Sequence, residues 1–302
     1  MEGKIREKAN NPNSGMFFFC ASPIGNLQDI TLRVLECLKT VDYIAVENAA
    51  RSRKLLSHYG IHAPLLSYRE AGREKKEQRI IEYLQNGASI ALLSDAGMPA
   101  ISDPGSSLAR RLHENGIPFT VLPGPSAALA SLVLSGYPTR RFVFWGFLSR
   151  RKKERVQELE QVEAESKTGI IYETPHRLQA TLGEMATLFP ERELTVCREL
   201  TKHFEEVRRG VALELQEHFT QVKPRGEITI VVSPLLEKAD PQEHTANMSP
   251  TEIEEKVKEK LNEELQQGKP PSHAVKNVAR ALSMSRSTVY SLLLEMQGRK
   301  AP

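Results

Sequence analysis

From Met16 to about Ser135 the chain alternates short β-rich apolar runs with longer amphipathic stretches, and this rhythm limits the possible folds more than any other feature. Strands are predicted over Met16–Ala21, Tyr43–Val46, Pro64–Ser67, Ser89–Leu93 and Phe119–Leu122. Helices are predicted around Thr31–Lys39, Arg51–Tyr59, Lys75–Gln85, Ser106–Asn115 and Ala127–Leu134. Strand, helix, strand at this spacing requires a parallel sheet covered on both faces. Ligands on such sheets bind beyond the carboxyl ends of the strands.

After "SGYPTRRF" the character changes. Strands over Phe142–Trp145, Gly169–Tyr172, Leu194–Cys197 and Glu227–Val232 alternate with charged helices near Lys152–Ala164 and Arg177–Leu188. Some connections are short, which predicts a mixed sheet. The expected class is α/β: two α/β domains, the first with a mainly parallel sheet and the second with a mixed one, flanking a cleft, plus a small helical module. The expected boundaries are a polar extension over 1–15, domains over 16–138 and 139–235, a linker over 236–250 and the module over 251–302. "LLEKADPQEHTANMSP" has linker composition. A charged helix over Thr251–Gln266 is stopped by Gly268, Pro270 and Pro271. The last block breaks at Ser283–Ser285 and resumes with Ser285 as cap, like a helix-turn-helix that places Arg286, Ser287, Thr288 and Tyr290 near a phosphate backbone. A three-helix packing module without nucleic-acid contact is the other reading.

Charge alone does not decide the partner: 41 basic and 38 acidic side chains leave a formal net charge of +3. Local clusters such as "RRKKER" (Arg150–Arg155) fit either a solvated helix face or a basic patch. Cys20, Cys37 and Cys197 lie far apart without CxxC spacing, as in a reducing cytoplasm. His58 and His62 have metal-pair spacing, but Gly60 between them and Pro64 after them predict a turn, so no metal site is expected. "MFFFCA" is far shorter than the ~20 residues that cross a bilayer. The expectation is a cytoplasmic protein without membrane contact.

Four segments at strand ends are rich in Gly, Pro, Ser and Asn: "SPIGNLQD" (Ser22–Asp29), "ENAARS" (Glu47–Ser52), "SDAGMPAISDPG" (Ser94–Gly105) and "LPGPSAA" (Leu122–Ala128). In a parallel sheet, loops after alternate strands converge on one edge. Neither GxxxxGK[ST] nor a GxGxxG after the first strand is present, so a phosphate-bearing cofactor is disfavoured. Asp95 and Asp103 would repel a pyrophosphate; a ligand with an ammonium, a sulfonium and ribose hydroxyls gains charge-assisted hydrogen bonds from them. S-adenosylmethionine is such a ligand. Asp103, before Pro104, is also placed to cap the following helix, leaving Asp95 as the ligand contact.

The ordered blocks "SPIGNLQDIT", "SDAGMPAISDPG", "LPGPSAALASLVLSG", "FVFWGFL", "YETPHRL", "RELTKHFEEVRRG" and "RGEITIVV" resemble the tetrapyrrole methylase superfamily and, within it, the bacterial small-subunit ribosomal RNA methyltransferase I family. The resemblance covers about Met16 to Pro234. It implies a two-domain α/β enzyme, usually a homodimer, that transfers a methyl group from S-adenosylmethionine to the ribose 2′-hydroxyl of a cytidine in the decoding region of 16S rRNA. It places cofactor contacts at Pro23, at Asp95, Ala96, Gly97 and Met98, at Ser126 and Ala127, and in the second domain at Glu173, Thr174 and Gly226. Pro23 otherwise shapes a turn, and Ser126 otherwise caps a helix.

One block departs from the family pattern. Where Glu-Asp-Thr-Arg is usual, this chain has Glu47, Asn48, Ala49 and Ala50, with Arg51 and Arg53 the nearest guanidiniums. Methyl transfer to a hydroxyl needs in-line alignment and removal of a proton as the oxygen attacks. Glu47 and Lys202 are the candidate catalytic residues, the first as base and the second as the cation that offsets charge on the oxygen. Lys202 pairing with Glu205 or Glu206, and Glu47 capping the next helix, are their structural alternatives. Arg51, Arg177, Arg198, Arg208, Arg209 and Arg286 are candidate RNA contacts. Two rival functions stay open: a related methylase acting on a tetrapyrrole or a protein, and a catalytically impaired RNA-binding or ribosome-assembly factor of the same fold.

Overall fold

The computed structural model describes residues 15–69, 71–103, 105–235, 250–266, 270–282, 284 and 286–296. The chain divides into two compact units, Met1–Ser233 and Pro234–Pro302. Among the described residues no helix is long and apolar enough to cross a membrane.

The first half of the larger unit alternates β1 (Phe17–Cys20), α1 (Leu32–Thr40), β2 (Tyr43–Val46), α2 (Ala49–His58), β3 (Leu65–Ser67), α3 (Arg73–Gln85), β4 (Ile90–Leu93), α4 (Ser106–Glu114), β5 (Phe119–Leu122) and α5 (Ala127–Ser135). The strands form one wholly parallel sheet in the order β3-β2-β4-β1-β5. Alternate residues of one strand serve opposite cores. Ala91 and Leu93 of β4 pack with Val34 and Leu38 of α1 and Leu56 of α2, whereas Ile90 and Leu92 pack with Ile80, Ile81 and Leu84 of α3 and Leu108 and Leu112 of α4. Apolar residues on both faces are what a sheet covered on both sides demands. The fold also brings Cys20 and Cys37 together, with sulfurs 3.9 Å apart and both thiols free.

Helix α5 leaves its own sheet. Its Ala128 and Leu132, with Tyr137, pack on Ile170 and Val231 of the second sheet and so join the two halves. That sheet comprises β6 (Phe142–Phe147), β7 (Thr168–Glu173), β8 (Glu193–Arg198), β9 (Glu206–Val211) and β10 (Ile228–Val232), in the order β6-β7-β10-β8-β9. Only β6 and β7 run parallel, so the sheet is mixed as expected. Its other face carries α6 (Lys152–Ala164), α7 (Pro175–Leu188) and α8 (Ala212–Gln221) over a core of Leu159, Leu178, Leu182, Met185, Leu215 and Phe219. Fully burying one such side chain contributes about 1.5–3 kcal/mol.

Strand β9 and helix α8 were not anticipated. The strand reads "EVRRGV", a sheet edge with both arginines exposed, and so lacks the apolar alternation that marks a half-buried strand.

The smaller unit is a three-helix cluster of α9 (Pro250–Gln266), α10 (Pro271–Ala281) and α11 (Arg286–Met296). Val257 and Leu261 meet Ala274, Val275 and Val278, and then Val289, Leu292 and Leu293. The expected cap at Ser285 lies outside the described residues, as does the side chain of Arg286.

Candidate functional site

All five strands of the first sheet are parallel, so the loops after β1, β2, β4 and β5 leave one edge. Three of them close on Gly97. Ser22 and Gly97 exchange backbone hydrogen bonds of 3.0 Å in both directions, and the Ser94 hydroxyl donates to the Gly97 carbonyl at 2.5 Å. Gly97 takes φ +76°, and a Cβ there would press on Ile24 Cγ2 at 3.1 Å and on the Pro125 carbonyl at 3.2 Å. Only glycine fits that meeting point.

A cleft opens between this edge and the second sheet. Ile24, Ala96, Gly97, Met98, Ile101, Ser102, Asp103, Ser126 and Ala127 form one wall; Phe147, Tyr172, Glu173, Thr174, Pro175, Gly226, Glu227, Ile228 and Thr229 form the other. Eight residues predicted for the cofactor therefore lie together: Ala96, Gly97, Met98, Ser126, Ala127, Glu173, Thr174 and Gly226. Pro23 is buried just before Ile24, and Asp95 immediately precedes the wall at Ala96. Ser126 lines the wall, and its hydroxyl also accepts from Leu129 N as the cap of α5.

Three carboxylates gather here. Asp95 Oδ1 is buried without a hydrogen-bond partner. Burial, reinforced by the charges of Asp95 and Glu227, pushes the Asp103 carboxyl up to about 6. The expectation that Asp103 caps a helix is corrected: α4 begins at Ser106, its N-cap is Gly105 at φ +141°, and no side chain caps it. Ala100 and Ser102 hold left-handed backbone at φ +65° and +61°, which coils the loop and puts Asp103 in the cleft wall instead. Pro104 after Asp103 gave the misleading signal.

Glu173, only 2% exposed, ends β7. Its carboxylate accepts from Thr181 Oγ1 at 2.6 Å and from Thr174 N at 2.7 Å. Arg177 Nε stands 3.3 Å from it, while Arg177 Nη2 donates to the Leu148 and Ser149 carbonyls. Arg177 is thus held inside the second half, where it neutralises Glu173.

Register aligns Glu173, Ile228, Arg198 and Glu206 in one row across the second sheet. The β8–β9 turn therefore emerges at the cleft edge. Its Lys202 Nζ lies 2.7 Å from Glu199 Oε1 and 3.8 Å from Glu227 Oε2, rather than pairing with Glu205 or Glu206. Glu205 instead accepts from Thr201 N at 2.6 Å. Glu199 itself takes φ +51°, and Gly226 at φ +81° has no room for a Cβ because the Glu199 carboxylate fills the space. From the first half, Arg51 Nη2 comes within 3.6 Å of Glu227 Oε1. Lys202 and Arg51 thus meet at Glu227, an acid that sequence reasoning passed over because it opens an otherwise apolar strand.

Glu47 stands half-buried after β2, outside the cleft walls, and its carbonyl accepts from Arg69 Nε at 3.0 Å. It does not cap α2. Asn48 does, its Oδ1 accepting from Ala50 N at 3.1 Å and Arg51 N at 3.2 Å.

The remaining arginines divide by exposure. Arg198 pairs at 2.5 Å with Glu206, which also accepts from His218 Nε2 at 2.7 Å; although burial opposes it, these hydrogen bonds hold the Glu206 carboxyl below its ordinary value. Arg208 and Arg209 are half exposed on the edge strand β9, the latter paired with Glu193 and lying 4.7 Å over the Tyr137 ring.

The walls fit a cationic nucleoside: glycine-lined backbone, apolar surfaces at Ile24, Met98, Ile101, Phe147 and Tyr172, the buried, unpartnered Asp95 Oδ1 next to them, and, among the described residues, no basic side chain in either wall. A family model described as tetrapyrrole (corrin/porphyrin) methylases matches residues 16–216. The chain is similar to the ribosomal RNA small subunit methyltransferase I of Synechocystis sp., at 40% identity over 94% of this chain and 99% of that one. It is similar to the Bacillus subtilis protein of the same name at 44% identity, over 72% of this chain and 75% of that one. Among solved structures it is similar to diphthine synthase (TM-score 0.57, 13% identity, 72% of this chain and 90% of that one) and to cobalt precorrin-4 methyltransferase (TM-score 0.56, 14% identity, 72% and 94%). These last likenesses speak to fold. The cofactor of the family is S-adenosylmethionine. With the match covering the first sheet and four strands of the second, and the relatives aligned over most of their length, the chain belongs to the tetrapyrrole methylase family and, within it, to the ribosomal RNA small subunit methyltransferase I group.

Proposed function

We propose that the protein methylates the ribose 2′-hydroxyl of a cytidine in the decoding region of 16S rRNA. The observation that carries this reading is the cleft between the sheets, with acids and glycines in its walls and cations confined to its edge. Bound there, S-adenosylmethionine supplies an electrophilic methyl carbon on a sulfonium. Asp95 and Asp103 would take its cationic groups, Gly97 and Ala96 would let the backbone approach its nucleoside, and Pro23, Met98, Ser126, Ala127, Glu173, Thr174 and Gly226 would complete the pocket.

The chain's remaining task is to align a ribose oxygen and move its proton. Glu47, on the edge beside the β4 loop, is the proposed base. Lys202, fixed by Glu199, is the proposed cation that offsets charge growing on that oxygen. Exposed Arg51, Arg208 and Arg209 are the proposed phosphate contacts, Arg286 of the smaller unit joining them. Arg177 and Arg198 act instead through the carboxylates they neutralise. Homodimer formation is part of the reading, supported by the uncovered face of α5, where Leu129 and Val133 are 52% and 72% exposed.

Calorimetry with S-adenosylmethionine, followed by tritiated methyl transfer to 30S subunits from a strain lacking the enzyme, tests this. Cofactor binding with transfer to RNA is expected. Binding without transfer would favour a non-catalytic assembly factor, and transfer to a tetrapyrrole or protein would favour the other rival.

A further inference from the structure

Phe204 is 70% exposed, yet it stands on one of the most constrained turns of the molecule. Glu199 and Thr201 hold left-handed backbone at φ +51° and +65°, conformations that persist only where the surroundings enforce them. Here they do: Glu199 N donates to the Glu227 carbonyl at 3.1 Å, Lys202 N to the Glu199 carbonyl at 3.0 Å and Glu205 N to the Lys202 carbonyl at 3.1 Å. The first half grips the same turn, with Asn26 N donating to Thr201 Oγ1 at 2.9 Å and Gly25 leaving no space for a Cβ against the Lys202 stem. A large apolar ring that a mobile turn would fold inward is therefore held in water at the edge of the cleft, touched edge-on by His203 at 4.8 Å between ring centres. Cations surround it in the chain. Lys202 precedes it by two residues, Arg208 lies half exposed on the strand that follows, and Lys223 and Arg225 are exposed just before the cleft-wall residue Gly226.

We propose that Phe204 is a stacking platform for an unpaired base of the RNA substrate at the cleft mouth. A rigid exposed ring among cations suits single-stranded nucleic acid, whose bases offer an aromatic face between phosphates. The assignment rests on the reading that the substrate is RNA.

The test compares wild type with Phe204→Ala and Phe204→Trp for binding to a fluorescein-labelled single-stranded cytidine-containing 12-nucleotide RNA and for KM and kcat on 30S subunits. Loss of one stacked base weakens RNA binding about 5- to 150-fold. Phe204→Ala should therefore lose affinity in that range and raise KM. Phe204→Trp should retain affinity, and both variants should bind S-adenosylmethionine and melt as wild type does. The slope of RNA affinity against salt should not change, because no cation is removed. RNA affinity unaltered in Phe204→Ala while wild type binds would overturn this inference alone, as would a changed oligomeric state with unaltered RNA affinity. Wild-type protein that binds no RNA would overturn the RNA reading and this inference with it.

Discussion

Replacing Asp103 by Asn should make the protein more stable and its cofactor binding worse. The carboxyl is pushed from 3.8 to about 6 by burial and by the neighbouring charges of Asp95 and Glu227, so the folded chain keeps a proton that the unfolded chain has released. Its contribution to stability therefore falls as pH rises through the window from 3.8 to about 6 and is fully unfavourable above it. That displacement corresponds to ~3 kcal/mol; solvent access to the partly buried side chain reduces it to about 1–2 kcal/mol. In a unit of this size each kcal/mol moves Tm by about 2–4 °C, so Asp103→Asn should melt about 2–8 °C higher at pH 7.5. The gain should roughly halve at pH 5 and nearly vanish by pH 3, where wild type is protonated in both states. Scanning fluorimetry across this range, with no cofactor present, reads it directly. Calorimetry at pH 7.5 should show cofactor affinity about 10- to 150-fold weaker in the variant, a lost charge-assisted hydrogen bond being worth ~1.5–3 kcal/mol. An Asn variant no more stable than wild type at pH 7.5 would mean that Asp103 is not an acid kept in the cleft wall at a cost to the fold.

Other variants probe separate parts of the site. Asp95→Ala should weaken S-adenosylmethionine binding about 10- to 100-fold with little change in Tm, since one of its oxygens is buried without any protein partner; calorimetry beside thermal melting checks both halves. Gly226→Ala should cost about 2–3 kcal/mol, from left-handed backbone and from displacing the Glu199 carboxylate, and should lower kcat more than cofactor affinity because Lys202 loses its nearest anchor; urea melts and steady-state kinetics measure the two. Arg177→Ala should destabilise by about 3–5 kcal/mol by leaving Glu173 charged in the core, and Glu173→Gln in the same background should recover part of that loss.

The first sheet was legible because its strands are apolar on both faces and helices such as α1 and α4 carry a clean amphipathic period; each predicted strand there lies within two residues of its observed bounds. The second half was less so. Strand β9 hides its role behind exposed arginines, and its pairing with β8 is fixed by a turn whose two left-handed residues are not glycines. The loops that line the cleft could be read from their composition, since glycine and proline mark close backbone approach. What composition could not separate were the two aspartates of one loop, because a proline after Asp103 is as good a sign of a helix start as of a bend. Nor could it find Glu227, whose importance comes from Arg51 and Lys202 reaching it from regions far apart in the chain. Long-range ion pairs of this kind leave no local pattern.

We propose that this cleft, with its acidic wall and cationic edge, places a methyl group on a ribose oxygen of small-subunit rRNA. Nucleoside mass spectrometry of 16S rRNA, after reaction of unmodified 30S subunits with isotopically labelled S-adenosylmethionine, reads that outcome directly. The expected product is labelled 2′-O-methylcytidine from the decoding region, absent when Lys202→Ala replaces wild type. A label on a base, on another nucleoside or on protein alone would contradict it.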